Sequence, residues 1–127
     1  DPDLFMQRVQ KYYGSVWIST PSFALMYSRL KDEKLLASIK TFLFCGEVLP
    51  HKLAKNIKAN FQQAIIFNTY GPTEATVATT IIEITEEILN NYNPLPVGES
   101  KQESKILIEN GEIIIVGPNV SVGYLIN

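Results

Sequence analysis

Short, continuously apolar runs alternate with amphipathic stretches along the first half of the chain. Val16–Ser19, residues 41–45 and residues 64–67 are β-prone runs, and the second is followed at once by a glycine. Strands that are buried on both faces of a parallel sheet have this pattern. Because helical patterns lie between the runs, the order strand, helix, strand, helix, strand predicts βαβ units and an α/β fold.

Two helices are predicted between these strands. Thr20 and Pro21 give the first helix an N-cap and a first-turn proline, and the second helix starts at Pro50. Apolar residues at helical spacing are expected to face the core. They are Phe23, Met26 and Leu30 in the first helix and Leu53, Ile57 and Phe61 in the second.

The second half of the chain changes character at a Pro-Leu-Pro sequence. Before it come a β-prone stretch over residues 77–84 and a short helix that starts at Thr85 with acids in its first turn. After it, residues 105–108 and Glu112–Val116 are predicted strands, and the Asn-Gly between them is a hairpin signal. We therefore assign residues 1–93 to an α/β part and residues 94–127 to a β-rich, incomplete part of the same domain.

Composition narrows the class of protein. Hydrophobic residues make up 46% and charged residues 19%, which is typical of a soluble globular chain. With 11 basic and 13 acidic residues there is no indication of nucleic-acid binding, and no apolar run approaches the roughly 18 residues of a membrane span. The single cysteine, Cys45, rules out an internal disulfide and predicts a reducing, cytoplasmic location.

One polar segment, residues 68–74 (Asn-Thr-Tyr-Gly-Pro-Thr-Glu), directly follows the third predicted strand. Open α/β sheets bind ligands at this carboxyl end, and the residue types suit a nucleotide. Asn68 offers a donor and an acceptor for an adenine edge, and Tyr70 offers a flat face for stacking. Thr73 has a hydroxyl for a phosphate oxygen, and Glu74 is a hard oxygen ligand for Mg²⁺. By composition alone, a plain turn is the alternative.

Three motifs then give the chain a resemblance to adenylate-forming enzymes. The first is Tyr-Gly-Pro-Thr-Glu at residues 70–74, with Asn68 before it, and the second is Gly-Glu-Val-Leu-Pro at residues 46–50. The third runs from Gly-Glu-Ile at residues 111–113 through Gly117 to Gly-Tyr-Leu at residues 123–125. The resemblance extends over nearly the whole chain. Within the superfamily, residues 17–23, 44–47 and 68–78 are most similar to D-alanine-activating members.

The resemblance implies both a fold and a reaction. The fold would be part of the large N-terminal domain of such an enzyme. The reaction would be the ATP-dependent conversion of D-alanine to D-alanyl-AMP, followed by transfer to the phosphopantetheine thiol of a D-alanyl carrier protein, for lipoteichoic acid. Another amino-acid adenylation domain, an acyl-CoA ligase and a non-catalytic binding module are the alternatives.

Site residues follow from the same resemblance, position by position. The expected ATP-binding residues are Gly46, Glu47, Asn68, Thr69, Tyr70, Gly71, Pro72 and Thr73. Among these, Thr73 would reach the α-phosphate, and Glu74 would hold Mg²⁺. Cys45 and Val77 would line a small pocket for the D-alanine methyl group; a buried strand cysteine and a core valine are the structural alternatives.

The chain also departs from the family pattern. It has no Ser/Thr/Gly-rich phosphate loop ending in Pro-Lys, no ribose-binding Asp, no hinge region and no C-terminal catalytic Lys. It starts at Asp1 without an initiator Met and ends just after the Gly-Tyr-Leu sequence. We therefore expect an internal piece of a longer enzyme that is inactive by itself.

Overall fold

The computed structural model describes residues 2–28 and 37–125. Within these ranges the helices are α1 (Pro2–Lys11), α2 (Pro21–Ser28), α3 (His51–Asn60) and α4 (Glu86–Asn91), with a 3-10 turn at Thr73–Ala75. The strands are β1 (Val16–Ser19), β2 (Thr41–Phe44), β3 (Ile65–Tyr70), β4 (Thr80–Glu83), β5 (Glu99–Ser100), β6 (Lys105–Glu109) and β7 (Glu112–Val116). Leu30, which we expected on a core-facing helix side, lies outside the described residues.

A five-stranded sheet in the order β1-β2-β3-β4-β5 forms the centre of the structure. The pairs β1–β2 and β2–β3 are parallel, whereas β3–β4 and β4–β5 are antiparallel. The predicted α/β fold with βαβ units is therefore confirmed for the first three strands. Because β2 and β3 run in the same direction, with Phe44 beside Asn68, their carboxyl ends meet at one edge of the sheet.

One hydrophobic core lies against one face of this sheet. Its strand positions include Trp17, Phe42 and Ile66, and every helix in the described residues contributes at least one buried residue. The helix residues are Met6 in α1, Ala24 and Tyr27 in α2, Leu53, Ala54 and Ile57 in α3 and Leu89 in α4. Burying apolar area in this way is the main stabilising contribution to such a domain.

The opposite sheet face is exposed. Val16, Ile18 and Ile65 retain 57%, 65% and 41% of their accessible surface. Our prediction that the apolar strands are buried on both faces is therefore wrong for the described chain. The reason is that α1 to α4 all add to the single core on the other side.

Several element boundaries differ from the prediction. β3 continues to Tyr70 instead of ending at residue 67, because β4 pairs with it as far as Tyr70 and Thr80. The part of the predicted strand from Val77 to Thr79 is irregular, since Thr76 and Val77 both have a positive φ. α1 has no counterpart in the prediction.

The helix faces were predicted with mixed success. Leu53 and Ile57 of α3 are buried as predicted, and Thr20 caps α2 through a 3.3 Å hydrogen bond from the Phe23 N–H. In α2, however, Met26 is 59% exposed, and the buried residues are Ala24 and Tyr27. α2 is apolar on nearly all sides, so periodicity could not identify its core-facing side.

The C-terminal third contains the predicted hairpin of β6 and β7. Its two-residue turn has φ values of +52° at Asn110 and +83° at Gly111, which an Asn-Gly hairpin turn requires. We placed the division between the α/β part and the β-rich part after residue 93. Leu95, which is buried in the main core, and β5, which pairs with β4, both come after that position. Among the described residues, no helix has the length and apolar character needed to cross a membrane.

Candidate functional site

A cleft of about 380 Å³ opens where β2 and β3 end. It is lined by Gly46, Glu47, Val48, Thr69, Tyr70, Gly71, Pro72 and Val97. Six of these eight residues belong to the predicted ATP-binding set. A larger cleft of about 480 Å³ lies near Lys40 and Phe61, towards the amino ends of β2 and β3. The carboxyl-end cleft is the better candidate, because open α/β sheets bind ligands at that edge.

The end of β3 is fixed by side-chain hydrogen bonds to its neighbours. The Thr69 hydroxyl donates to the Phe44 carbonyl at 2.9 Å, which ties β3 to β2. The Tyr70 N–H donates to Thr80 Oγ1 at 3.1 Å, and that hydroxyl donates to the Val97 carbonyl at 2.6 Å. These bonds make Tyr70 part of a fixed wall of the cleft.

Asn68 is only 2% exposed and sits just before these wall residues in β3. Its Nδ2 donates to the Pro96 carbonyl at 2.8 Å. Its Oδ1 is buried and has no hydrogen-bond partner within residues 2–28 and 37–125. A buried polar atom without a partner costs about 1–3 kcal/mol, so this oxygen is a site where a ligand donor would be favoured.

Gly46 and Glu47 form the loop after β2. Gly46 has a φ of +81°, which favours glycine. The Glu47 carboxylate accepts hydrogen bonds from the Ser22 hydroxyl and, at 3.0 Å, from the Ser22 N–H. The hydrogen bond from the Ser22 hydroxyl has the largest effect and the one from the Ser22 N–H the next largest, and together they hold the pKa of Glu47 below its ordinary value. Glu47 therefore joins one wall of the cleft to the first turn of α2.

The Gly-Pro-Thr-Glu sequence turns away from the sheet into the 3-10 turn. Gly71 packs so closely that an added Cβ would lie 2.7 Å from both Thr79 N and Val77 O. Thr73 and Glu74 are exposed on the turn. The Glu74 carboxylate accepts a hydrogen bond from the Tyr124 hydroxyl, which lowers the pKa of Glu74 and raises the pKa of Tyr124.

Five predicted site residues lie near the cleft in sequence but outside its lining: Asn68, Thr73, Glu74, Cys45 and Val77. Cys45 is half-buried directly after β2, and its N–H donates to the Ser19 carbonyl at 3.3 Å. Val77 is 50% exposed and lies two residues after the 3-10 turn, so it is not part of the core formed by the described residues. Neither residue lines the cleft, and their role in binding D-alanine stays a prediction.

Two cleft residues, Val48 and Val97, were missed by the sequence analysis. Val48 lies inside the predicted Gly-Glu-Val-Leu-Pro motif. The sequence did not indicate that this side chain is 79% exposed and can therefore line a cleft. Val97 follows the Pro-Leu-Pro sequence and reaches the cleft because its carbonyl is held by Thr80. No local pattern indicates such a long-range contact.

Comparison with known proteins places this geometry in a family. A ligase from Bacillus cereus, named D-alanine--D-alanyl carrier protein ligase, is 54% identical over 123 residues, which cover 87% of this chain and 24% of the relative. A protein of the same name from Bacillus cytotoxicus is 50% identical, covering 97% of this chain and 27% of that protein. The chain thus spans about a quarter of the length of these relatives.

The fold has a close structural counterpart as well. The nonribosomal peptide synthetase FmoA3, in a form bound to alpha-methyl-L-serine-AMP, superposes with a TM-score of 0.88 at 18% identity. The match covers 98% of this chain and 16% of that one, and it shows that the fold is shared. The profile of the AMP-binding enzyme family matches residues 1–125, and the chain belongs to that family.

Proposed function

We propose that this chain forms the ATP- and D-alanine-binding part of an AMP-forming ligase. The complete protein would convert D-alanine and ATP to D-alanyl-AMP and pyrophosphate. It would then transfer the D-alanyl group to the phosphopantetheine thiol of a D-alanyl carrier protein, in the cytoplasm, for lipoteichoic acid. The observation that carries the proposal is the cleft at the ends of β2 and β3, which is lined by six of the eight predicted nucleotide-binding residues.

The adenine end of the site is supported by the polarity of Asn68. Nδ2 is engaged with the Pro96 carbonyl, and Oδ1, which has no partner among the described residues, is an amide oxygen that can only accept a hydrogen bond. The exocyclic amino group of adenine is a donor of matching polarity. Tyr70, two residues further along β3, is half-buried and lines the cleft, and its ring offers the stacking face.

The phosphate end is supported by the exposed 3-10 turn. The Thr73 hydroxyl would donate to an α-phosphate oxygen as charge develops there, which is how positioned donors stabilise a transition state. The described residues contain no group of three or more His, Cys, Asp or Glu side chains for a metal. Mg²⁺ is nevertheless commonly held by one or two carboxylates together with substrate phosphates, so Glu74 alone fits as this chain's ligand. When bound, the ion would neutralise charge on the phosphates.

D-alanine as the substrate, and a carrier protein as the acceptor, are supported by the names of the two Bacillus relatives. Their identity of 50–54% favours this reaction over another adenylation domain or an acyl-CoA ligase. Cys45 and Val77 are the residues we propose for the methyl pocket. Cys45 comes directly after β2 and Val77 two residues after the 3-10 turn, so they belong to the two loops that follow the neighbouring strands β2 and β3.

The test is amino-acid-dependent ATP–pyrophosphate exchange by the complete protein that carries this chain. D-alanine should support exchange, whereas L-alanine and glycine should support it poorly. Adding carrier protein with its phosphopantetheine group should give a D-alanyl thioester that hydroxylamine releases. Exchange with an unrelated acid, such as a fatty acid, and none with D-alanine would refute the substrate assignment.

A further inference from the structure

The segment after β7 closes over the proposed phosphate-binding turn. The Ser121 N–H donates to the Glu74 carbonyl at 2.7 Å, and the Tyr124 hydroxyl donates to the Glu74 carboxylate. The Thr76 hydroxyl donates to the Asn119 carbonyl at 2.8 Å. The two segments are therefore in direct contact at several points. They are distant in sequence, since Thr76 and Asn119 are 43 positions apart and Glu74 and Tyr124 are 50 positions apart.

Asn119 makes the most side-chain contacts in this segment. Its Nδ2 donates to the Ala75 carbonyl at 2.9 Å and to Thr79 Oγ1 at 3.2 Å. Its Oδ1 accepts from the Ser104 hydroxyl at 2.6 Å. Thr79 and Ser104 are only 1% and 4% exposed and Asn119 is half-buried, so the network is partly shielded from water. Shielded, satisfied networks of this kind fix one arrangement of the groups that they join.

Gly117 leaves the space that this network needs. A Cβ at that position would lie 2.8 Å from Asn119 Oδ1 and 3.0 Å from the Ser104 hydroxyl. The presence of glycine at position 117 of the third motif is therefore explained locally, because it allows Ser104 to orient the Asn119 amide. Through Nδ2, that amide in turn holds both ends of the segment from Ala75 to Thr79, in which Thr76 and Val77 have a positive φ.

We infer that Asn119 is a positioning residue for the ATP site: its amide fixes the backbone of residues 75–79, and so sets where Thr73 and Glu74 stand relative to the cleft. A β-branched residue such as Val77 rarely adopts a positive φ without outside support. The Asn119 bonds to Ala75 and Thr79 provide that support on both sides. This inference rests on the proposed nucleotide role of residues 68–74.

The experiment uses the complete protein with Asn119→Asp, which keeps the size and replaces the donating Nδ2 by an oxygen. Ser121→Ala is the matched control, because the hydrogen bond from Ser121 to the turn comes from its backbone N–H, which the variant keeps. Ser104→Ala is a milder second variant that releases Oδ1 alone. Each protein is measured well below its thermal midpoint, for ATP–pyrophosphate exchange and for amide hydrogen exchange.

For Asn119→Asp we expect kcat/KM for ATP to fall about 10- to 100-fold, the size of loss that small misplacements of catalytic groups cause. Amide exchange over residues 75–79 should accelerate about tenfold or more while β1 and β2 keep their protection. Ser104→Ala should shift both quantities in the same direction by less, and Ser121→Ala should match wild type.

One outcome would overturn the inference and leave the proposed function standing. In that outcome the wild type is active, and Asn119→Asp loses only thermal stability while its kcat/KM for ATP is unchanged. The inference also fails if amide exchange in the variant accelerates uniformly across the sheet. A wild type without any ATP–pyrophosphate exchange would instead refute the proposed function, and this inference with it.

Discussion

Asn68 offers the sharpest test of nucleotide binding, because its Nδ2 is engaged and its Oδ1 has no partner among the described residues. Asn68→Ala removes the Oδ1 that we assign to the adenine amino group, and it also removes the 2.8 Å bond to the Pro96 carbonyl. A hydrogen bond contributes about 0.5–1.5 kcal/mol net, and a buried group left unpaired costs about 1–3 kcal/mol. We therefore expect ATP affinity to fall about tenfold, since about 1.4 kcal/mol corresponds to that factor.

Purine riboside triphosphate separates this reasoning from a general disturbance of the cleft, because it lacks only the 6-amino group of ATP. In wild type it should bind about tenfold more weakly than ATP, since it leaves Oδ1 unpaired. In Asn68→Ala the two nucleotides should bind equally, because the acceptor is gone. The assay is a two-by-two comparison of dissociation constants by titration calorimetry on the complete protein.

The loss of the Pro96 bond gives a separate signal, a lower thermal midpoint that does not depend on the nucleotide. Asn60→Ala is the control, because Asn60 is an exposed amide at the end of α3. It should change neither the affinity nor the nucleotide preference. If Asn68→Ala weakens ATP and purine riboside triphosphate by the same factor, Oδ1 does not face the amino group and the adenine assignment is refuted.

Three further predictions concern competence, selectivity and packing. The isolated 127 residues should show no D-alanine-dependent ATP–pyrophosphate exchange, and measurable turnover would contradict our view of the missing motifs. In the complete protein, Cys45→Ala should lower the D-alanine over L-alanine ratio of kcat/KM by a factor of about 10–200, the range that one methylene-sized difference provides; an unchanged ratio with a lower melting temperature would make Cys45 a core residue. Gly71→Ala should destabilise by about 1–3 kcal/mol in denaturant titrations, because the new Cβ meets Thr79 N and Val77 O at 2.7 Å. Gly14→Ala, whose nearest neighbour would be 3.8 Å away, should be close to neutral and serves as its control.

The strands were predictable to the extent that local pattern determines them. β1 was located at the correct residues, and β2 within one residue, because short apolar β-branched or aromatic runs are decisive locally. β3 was predicted to end at residue 67 because Asn68, Thr69 and Tyr70 look like a polar loop. They remain in the strand because Thr69 bonds to β2 and because β4 pairs with all three. That pairing is a long-range contact and leaves no local signal.

The candidate site was predictable in its residues but not in their orientation. The motif residues around Gly46 and Tyr70 do meet in one cleft, since the carboxyl ends of neighbouring parallel strands must lie side by side. The positive φ of Val77 could not be foreseen, because a β-branched residue disfavours it and hydrogen bonds from the distant Asn119 help to support it here. The contribution of Asn119 was invisible for the same reason, since the Ala75 and Thr79 groups that it holds lie 44 and 40 residues away in sequence.

On the exposed sheet face, an apolar sequence pattern does not correspond to burial of the side chains. A continuously apolar strand has side chains for two covered faces, and the four described helices cover only one of them. Val16, Ile18 and Ile65 remain open to water, and so do apolar residues of the β6–β7 hairpin such as Ile108, at 74%. The two Bacillus relatives are about four times as long as the matched region, so they have further chain with which to cover such surfaces. Sequence pattern therefore reports which positions are suited to burial, whereas the elements that bury them must be supplied by the rest of the fold. For this reason the binding and activity experiments above use the complete protein, in which the cleft has its full surroundings.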